Sequence, residues 1–137
     1  MTPDQIDLSR AAMALPGAPK PPALRPYSRP LEVHMGASTR RDGAGILWVD
    51  VAAKDSANYD WLPDLDDAAT GGVLVAMLGV DAGRISAVVS CHKRAAGLRW
   101  WADLTVEDGS DCRRSVATLA EAACNVAIVV GGWRGAS

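Results

Sequence analysis

The sequence contains no phenylalanine, and its aromatic residues are five tryptophans and two tyrosines. An apolar core must therefore be built from Leu, Val, Ile, Ala and the flat sides of tryptophan. A buried tryptophan needs a hydrogen-bond acceptor for its indole N–H. We therefore expect at least one of the five tryptophans to lie at a surface or an interface.

Several other features are also scarce. No apolar run reaches the ~18 residues that cross a bilayer, and the segment 1–4 (MTPD) lacks the basic and apolar regions of a signal peptide. The three cysteines, an odd number without regular spacing, favour a reducing compartment. Neither charge sign dominates, since the net charge is −2. This balance argues against non-specific binding of nucleic acid over a large basic surface.

The first thirty residues predict a helix followed by an extended strap. Thr2 is a good N-cap, Pro3 suits the first helical position, and Gln5 can close a capping box. An apolar stripe follows at helical spacing: Leu8, Ala11, Ala12 and Leu15. Six of the eight prolines lie between positions 16 and 30, which predicts extended chain. We therefore divide the chain into 1–30, an arm that is either detachable or docked, and a domain at 31–137.

The second unit predicts alternating strands and helices. The residues at 31–35 alternate weakly between apolar and polar, and a turn-rich segment follows at 36–45. The next segment, 46–51 (ILWVDV), is typical of a strand. After a polar connector at 55–59, the segment 62–67 (LPDLDD) opens a helix that is capped by Asp66 or Asp67, runs to about Leu78 and stops at Gly79. We expect Gly71-Gly72 in this helix to pack closely against the sheet. A hairpin of 84–91 and 98–106, joined by a turn at 93–97, comes next. A helix from Ser110 or Asp111 to about Asn125 and a short strand at 126–130 close the chain, with 131–137 frayed. The fold class is α+β, an antiparallel sheet packed against helices in the order α-β-β-α-β-β-α.

Two clusters invite a metal, and both have simpler interpretations. Asp64, Asp66 and Asp67 are typical ligands of hard cations, but carboxylates at a helix start also cap backbone N–H groups. We favour capping, and an enzyme using Asp64 and Asp66 with a metal is the weaker hypothesis. The segment Cys91-His92, with Cys112 and Cys124, lacks the close pairs of structural zinc sites. We predict packed thiols, no metal and no cofactor.

The basic residues and two adjacent tryptophans suggest a binding surface. Arg113 and Arg114 fall in the first turn of the predicted helix, where the dipole disfavours a cation; an anionic partner or local pairing with Glu107, Asp108 and Asp111 would explain them. Trp100 and Trp101 face opposite ways on a strand. Either both are core, or the outward ring forms an anchor of the kind found at binding hot spots. The candidate partner-binding residues are Trp100, Trp101, Arg99, Arg113, Arg114, Lys93 and Arg94; we assign no catalytic residue.

The segment 61–74 (WLPDLDDAATGGVL), the pair Trp100-Trp101 and the alanine-rich segment 110–123 resemble small phage and prophage proteins of the helix-sheet-helix sandwich type. The likeness covers about residues 59–125, and the opening 8–17 (LSRAAMALPG) is similar to such proteins as well. The proline strap and Gly71-Gly72 depart from the pattern. The resemblance implies a phage-encoded accessory protein in the bacterial host cytoplasm. Anti-CRISPR and other anti-defence inhibitors are phage proteins of this size, and the group has no established catalytic residues.

We therefore expect a non-catalytic inhibitor that binds a host protein or ribonucleoprotein complex. We expect no sequence-specific contact with nucleic acid and no membrane association, and a homodimer is left open. The alternative is a module that sequesters a small ligand or nucleotide, with tryptophan stacking on a base and arginine pairs holding an anion. A stoichiometric protein complex would favour the inhibitor, whereas a nucleotide released on denaturation would favour the module.

Overall fold

A computed structural model describes residues 1–21, 39–52, 59–78, 85–94, 97–106 and 111–133. Over these residues the chain forms α1 (Pro3–Met13), β1 (Thr39–Arg41), β2 (Leu47–Ala52), β3 (Tyr59–Pro63), α2 (Ala68–Ala76), β4 (Ile85–Arg94), β5 (Gly97–Val106), β6 (Asp111–Val116) and α3 (Leu119–Val130). The strands make two three-stranded antiparallel sheets within that part of the chain: sheet A in the order β1-β2-β3 and sheet B in the order β4-β5-β6. The predicted α+β class is confirmed.

Helix α1 begins as the sequence predicts. The backbone N–H of Gln5 donates to Thr2 Oγ1 at 3.2 Å, and the N–H of Thr2 donates to Gln5 Oε1 at 2.7 Å. Of the predicted apolar stripe, Leu8, Ala12 and Leu15 face the core, whereas Ala11 is exposed. Gln5 and Ser9 are buried as well. Ser9 can be buried because its hydroxyl donates to a backbone carbonyl of β3 at 3.2 Å, which binds α1 to sheet A directly.

The end of α1 is held by a residue near the other end of the chain. Trp133, only 7% exposed, donates its indole N–H to the carbonyl of Ala12 at 2.9 Å and its backbone N–H to the carbonyl of Pro16 at 2.8 Å. Gly131 ends α3 in the left-handed conformation, so the chain turns toward α1. Helix α1 is therefore docked. Trp133 is not frayed as predicted, and residues 134–137 and the boundary at residue 30 lie outside the described residues.

Sheet A contains the predicted strand at 46–51, now β2, and two strands that were not predicted. β1 lies in the segment assigned to a turn-rich loop, and β3 lies where a connector and the start of a helix were expected. Asp42 closes the β1–β2 turn, because its Oδ1 accepts hydrogen bonds of 2.9–3.0 Å from the backbone N–H groups of three residues that follow, Ala44, Gly45 and Ile46. The weakly alternating segment 31–35 lies outside the described residues.

Helix α2 begins at Ala68 with Asp67 as its N-cap, which is one of the two predicted cap residues. Its glycines pack differently from the prediction. A Cβ on Gly71 would lie 3.0 Å from the backbone nitrogen of Ala120, whereas one on Gly72 would meet nothing within 4 Å. Gly71 therefore allows α2 to approach the start of α3, and not the sheet. The predicted stop at Gly79 lies outside the described residues.

The hairpin of β4 and β5 confirms the prediction for 84–91 and 98–106, with both strands extended to ten residues. Lys93 and Arg94 belong to β4 and Gly97 to β5, so the predicted turn is shorter than 93–97. The third strand of sheet B contradicts the sequence prediction, because residues 111–116 form β6 and not the start of a helix. Trp100 pairs with Cys91 of β4 and Val116 of β6.

Helix α3 begins only after β6, with Thr118 as N-cap and a capping box completed by Glu121. It continues through 126–130, which were predicted as a strand. Its fully buried residues Ala123, Cys124 and Ala127 share a core cluster with Trp48 of sheet A, while Val126 packs on sheet B. One helix thus joins both sheets to one core. Over the described residues, no helix is long and apolar enough to span a membrane.

Candidate interaction surface

The two tryptophans of β5 lie on different faces of sheet B. Trp100 packs against the buried cluster of Ala102, Ala122 and Val126, which joins the sheet to α3. Because neighbouring strand residues alternate, Trp101 belongs to the opposite face. It is half-buried there and makes contacts within the protein. Among the described elements, α3 is the helix that packs on this sheet, and it covers the Trp100 face. The described residues therefore do not support the interpretation in which helices cover both faces and both rings are core.

The strand register separates the predicted partner-binding residues into two groups. Arg99 is exposed and shares the face of Trp101, and the pairings Arg94–Gly97 and Arg113–Asp103 place two more arginine positions there. The pairings Lys93–Leu98 and Arg114–Ala102 place the other basic residues on the side of α3. We call the first group the Trp101 face: Trp101, Arg99, Arg94 and Arg113.

Charge is unevenly distributed along the Trp101 face. Arg94 and Arg99 lie toward the β4–β5 turn, whereas Asp103 and Asp111, paired with Arg113 and Thr105, lie toward the other end. Arg113 and Arg114 are on a strand, so the argument that a helix dipole disfavours them does not apply. The reason for expecting an anion now rests on the grouping of Arg94 and Arg99.

The acidic cluster is occupied by structural contacts, which confirms the capping interpretation. Asp67 accepts 2.9 Å and 2.8 Å hydrogen bonds from the backbone N–H and hydroxyl of Thr70, and Arg41 binds both its carboxylate oxygens at 2.9 and 3.0 Å. The hydrogen bond from Arg41 holds the pKa of Asp67 far below its usual range. Asp64 accepts the backbone N–H of Asp66, whose own carboxylate accepts the Gln5 amide at 2.8 Å.

The thiols differ from one another. Cys124 is fully buried, and burial, together with the nearby negative charge of Glu121, raises the pKa of its thiol to about 12. Cys91 is exposed, so the prediction of a packed thiol is wrong there. The side chain of Cys112 lies outside what the structure describes. No group of three or more metal-binding side chains is found among the described residues.

Neither Trp48 nor Trp61 was identified as a functional residue from the sequence, yet both line a cavity of about 370 Å³ between sheet A and the chain that follows α1. Trp48 is fully buried, and its indole N–H donates to Asp42 Oδ2 at 2.8 Å. Burial alone would raise the pKa of Asp42, but this bond and three from backbone N–H groups lower it overall. An aspartate followed by Gly-Ala-Gly was the available sequence signal for this turn.

No protein-family model, curated protein or solved structure matches this chain.

Proposed function

We propose that this protein is a non-catalytic inhibitor of a bacterial host complex, of the anti-CRISPR or a related anti-defence kind, and that it binds through the Trp101 face. The observation that carries the proposal is the half-buried Trp101 beside the exposed Arg99, on the side of sheet B opposite α3. Tryptophan and arginine are the residue types most enriched at binding hot spots. The resemblance to small phage proteins supplies the setting, which is the cytoplasm of an infected bacterium.

The partner should be a protein surface with carboxylates near its rim. Arg94 and Arg99 lie close to the same end of the hairpin, and charges at an interface rim mainly steer the encounter and set specificity. The aromatic ring contributes the desolvated contact. The acidic cluster, which was the candidate for catalysis, holds the start of α2 and binds α1. A function that uses binding alone fits both observations.

The test measures phage plaquing on bacteria whose CRISPR–Cas systems target that phage, using one strain for each system type and a plasmid expressing this protein. We expect the wild-type protein to restore plaquing in at least one strain. Trp101→Ala and Arg99→Glu should abolish the effect. For Trp101→Ala, the lost affinity for the purified target complex should be about 2 kcal/mol or more, which is roughly 30-fold.

Lys93→Met is the matched control, because Lys93 is exposed but lies on the α3 side of sheet B. It should retain full inhibition. Urea unfolding of each purified variant establishes that it is folded, and Arg99→Glu remains informative should Trp101→Ala lose stability. Failure to protect the phage in every strain would contradict the anti-CRISPR assignment. Equal affinity of wild type, Trp101→Ala and Arg99→Glu for a captured complex would reject the Trp101 face.

A further inference from the structure

The cavity between sheet A and the chain after α1 has two firmly placed walls. On the sheet side, the register pairs Trp48 with Pro63 and Asp50 with Trp61, so both tryptophans lie on one face of sheet A. The bond to Asp42 fixes the ring of Trp48. Trp61 is half-buried and packs against the same core. Trp48 is fully buried beneath the cavity, and Trp61 is the ring that offers aromatic surface to a ligand.

The opposite wall consists of Met13, Leu15 and Pro19, in and just after the last turn of α1. This stretch is tied down, since the backbone N–H of Trp133 donates to the carbonyl of Pro16. At Gly17 the chain takes φ +77°, and a Cβ there would clash with the carbonyl oxygen of Trp133. Both walls are therefore held by contacts outside the cavity, which makes the space preformed and not a product of loose packing.

The charge of the lining points to one class of ligand. Lys20 is exposed at the cavity and is the one charged side chain among the described lining residues. A tryptophan face alone would also suit a cation, but a neighbouring ammonium group repels one and attracts an anion. A volume of about 370 Å³ is near the lower end of ligand pockets. That size suits one or two fused rings and not a dinucleotide.

We propose that this cavity is a binding site for a small aromatic anion, whose ring lies against Trp61 and whose negative group pairs with Lys20. The site is on sheet A and is separate from the Trp101 face of sheet B. It does not depend on the proposed inhibition. A protein that fails to protect phage could still bind such a ligand.

Two matched fluorescent probes test the proposal on the full chain. They are 1-anilinonaphthalene-8-sulfonate and N-phenyl-1-naphthylamine, which has the same rings without the sulfonate. The folded protein should bind the sulfonate probe with a stoichiometry near one, and more tightly than the neutral probe. Lys20→Met should weaken binding of the sulfonate probe about two- to fivefold, as expected for one exposed ion pair. It should leave the affinity for the neutral probe unchanged.

Lys93→Met, which removes an exposed lysine on sheet B, is the control and should change neither affinity. Trp61→Leu should weaken both probes, and its urea transition shows whether the variant remains folded. Because Lys20 is exposed, Lys20→Met is expected to fold in any case and keeps the test decisive. The proposal is overturned by equal affinity of wild type for the two probes. It is also overturned by a sulfonate-probe affinity that Lys20→Met does not reduce.

Discussion

The carboxylate of Asp67 connects α2 with strands β1 and β2 of sheet A. It caps α2 through Thr70, whose hydroxyl accepts the backbone N–H of Leu47 in β2 at 2.9 Å, and it binds Arg41 of β1. Asp67→Ala should therefore reduce the free energy of unfolding by about 1–2 kcal/mol, the upper part of the range for a lost N-cap. Asp67→Asn should lose less, because asparagine caps equally well but cannot form the ion pair. Urea unfolding at pH 7 measures both.

The same variants predict how stability depends on pH. The folded-state pKa of Asp67 is lowered, so its ionised form stabilises the fold fully above its unfolded value of about 3.9. That contribution is lost as pH falls toward the lower folded value. The difference between wild type and Asp67→Ala should consequently shrink when unfolding is measured below about pH 4. A constant difference from pH 7 to pH 3 would contradict the role of the charge.

Residues that act on their own neighbours in the sequence were predictable. Thr2 with Gln5 and the cap at Asp67 need only local spacing, and both formed as expected. Asp42 was not identified, because its role depends on a second contact with Trp48 that only the folded β1–β2 hairpin creates. The exposure of Cys91 was not predicted for a similar reason. The apolar character of a thiol does not show whether α3 covers that part of its strand.

The two glycines of α2 give a matched test of how the helices pack. Gly72→Ala should stabilise the protein by about 0.5–1 kcal/mol, because a glycine in a helix interior is disfavoured and the added methyl group enters open space. Gly71→Ala should instead destabilise it, since the methyl group would lie 3.0 Å from both the backbone nitrogen of Ala120 and the Cβ of Leu119. Thermal unfolding of the two variants distinguishes the cases. If both raise the melting temperature, α2 and α3 are not in close contact at Gly71.

The error at β6 shows why helix starts are ambiguous in a single sequence. Ser110 and Asp111 are good N-caps, and Cys112, Val116 and Leu119 follow at helical spacing. A second capping box lies at Thr118 and Glu121, and it is the one that forms. This capping box is a local signal for the later start, since arginines stand three residues after Ser110 and Asp111, and the pairing of residues 111–116 with β5 agrees with it.

Tertiary contacts also overrode propensity at the C-terminal end of α3. Val126–Val130 is rich in β-branched residues, which favour strands, yet it is helical because Val126 and Ala127 are buried against other elements. β3 was not predicted, because one of its residue types disfavours a strand. Its proline, Pro63, disfavours a strand interior but is acceptable as the last residue of an edge strand.

At the scale of the whole molecule, one hydrogen bond tests whether α1 is docked or detachable. Trp133→Phe retains much of the apolar ring but removes the donor to the buried carbonyl of Ala12. The loss of this hydrogen bond should lower the free energy of unfolding by about 0.5–1.5 kcal/mol, since the carbonyl of Ala12 still accepts the backbone N–H of Leu15 at 3.3 Å. Equilibrium urea unfolding measures this loss. Ile128→Ala, at an exposed position of α3, should change stability by less than about 0.5 kcal/mol.

A midpoint for Trp133→Phe equal to that of wild type would favour a detachable arm. The sequence left both states open, because six prolines after α1 indicate an extended strap but not where the helix lies. The prediction of the partner-binding residues had a similar limit. Their types suggested a surface, but only the register of β4, β5 and β6 separates Arg99 and Arg113 from Lys93 and Arg114.

The bond between Ala12 and Trp133 joins residues 121 positions apart, and this separation matters while the chain is being translated. At about 5–20 residues per second, the ribosome takes roughly 6–24 s to travel from one to the other. An eleven-residue helix is marginal in water without tertiary contacts. For that interval the C-terminal end of α1 lacks this partner, and the bonds of Gln5 and Ser9 to the chain at 63–66 are the contacts that can hold the nascent helix.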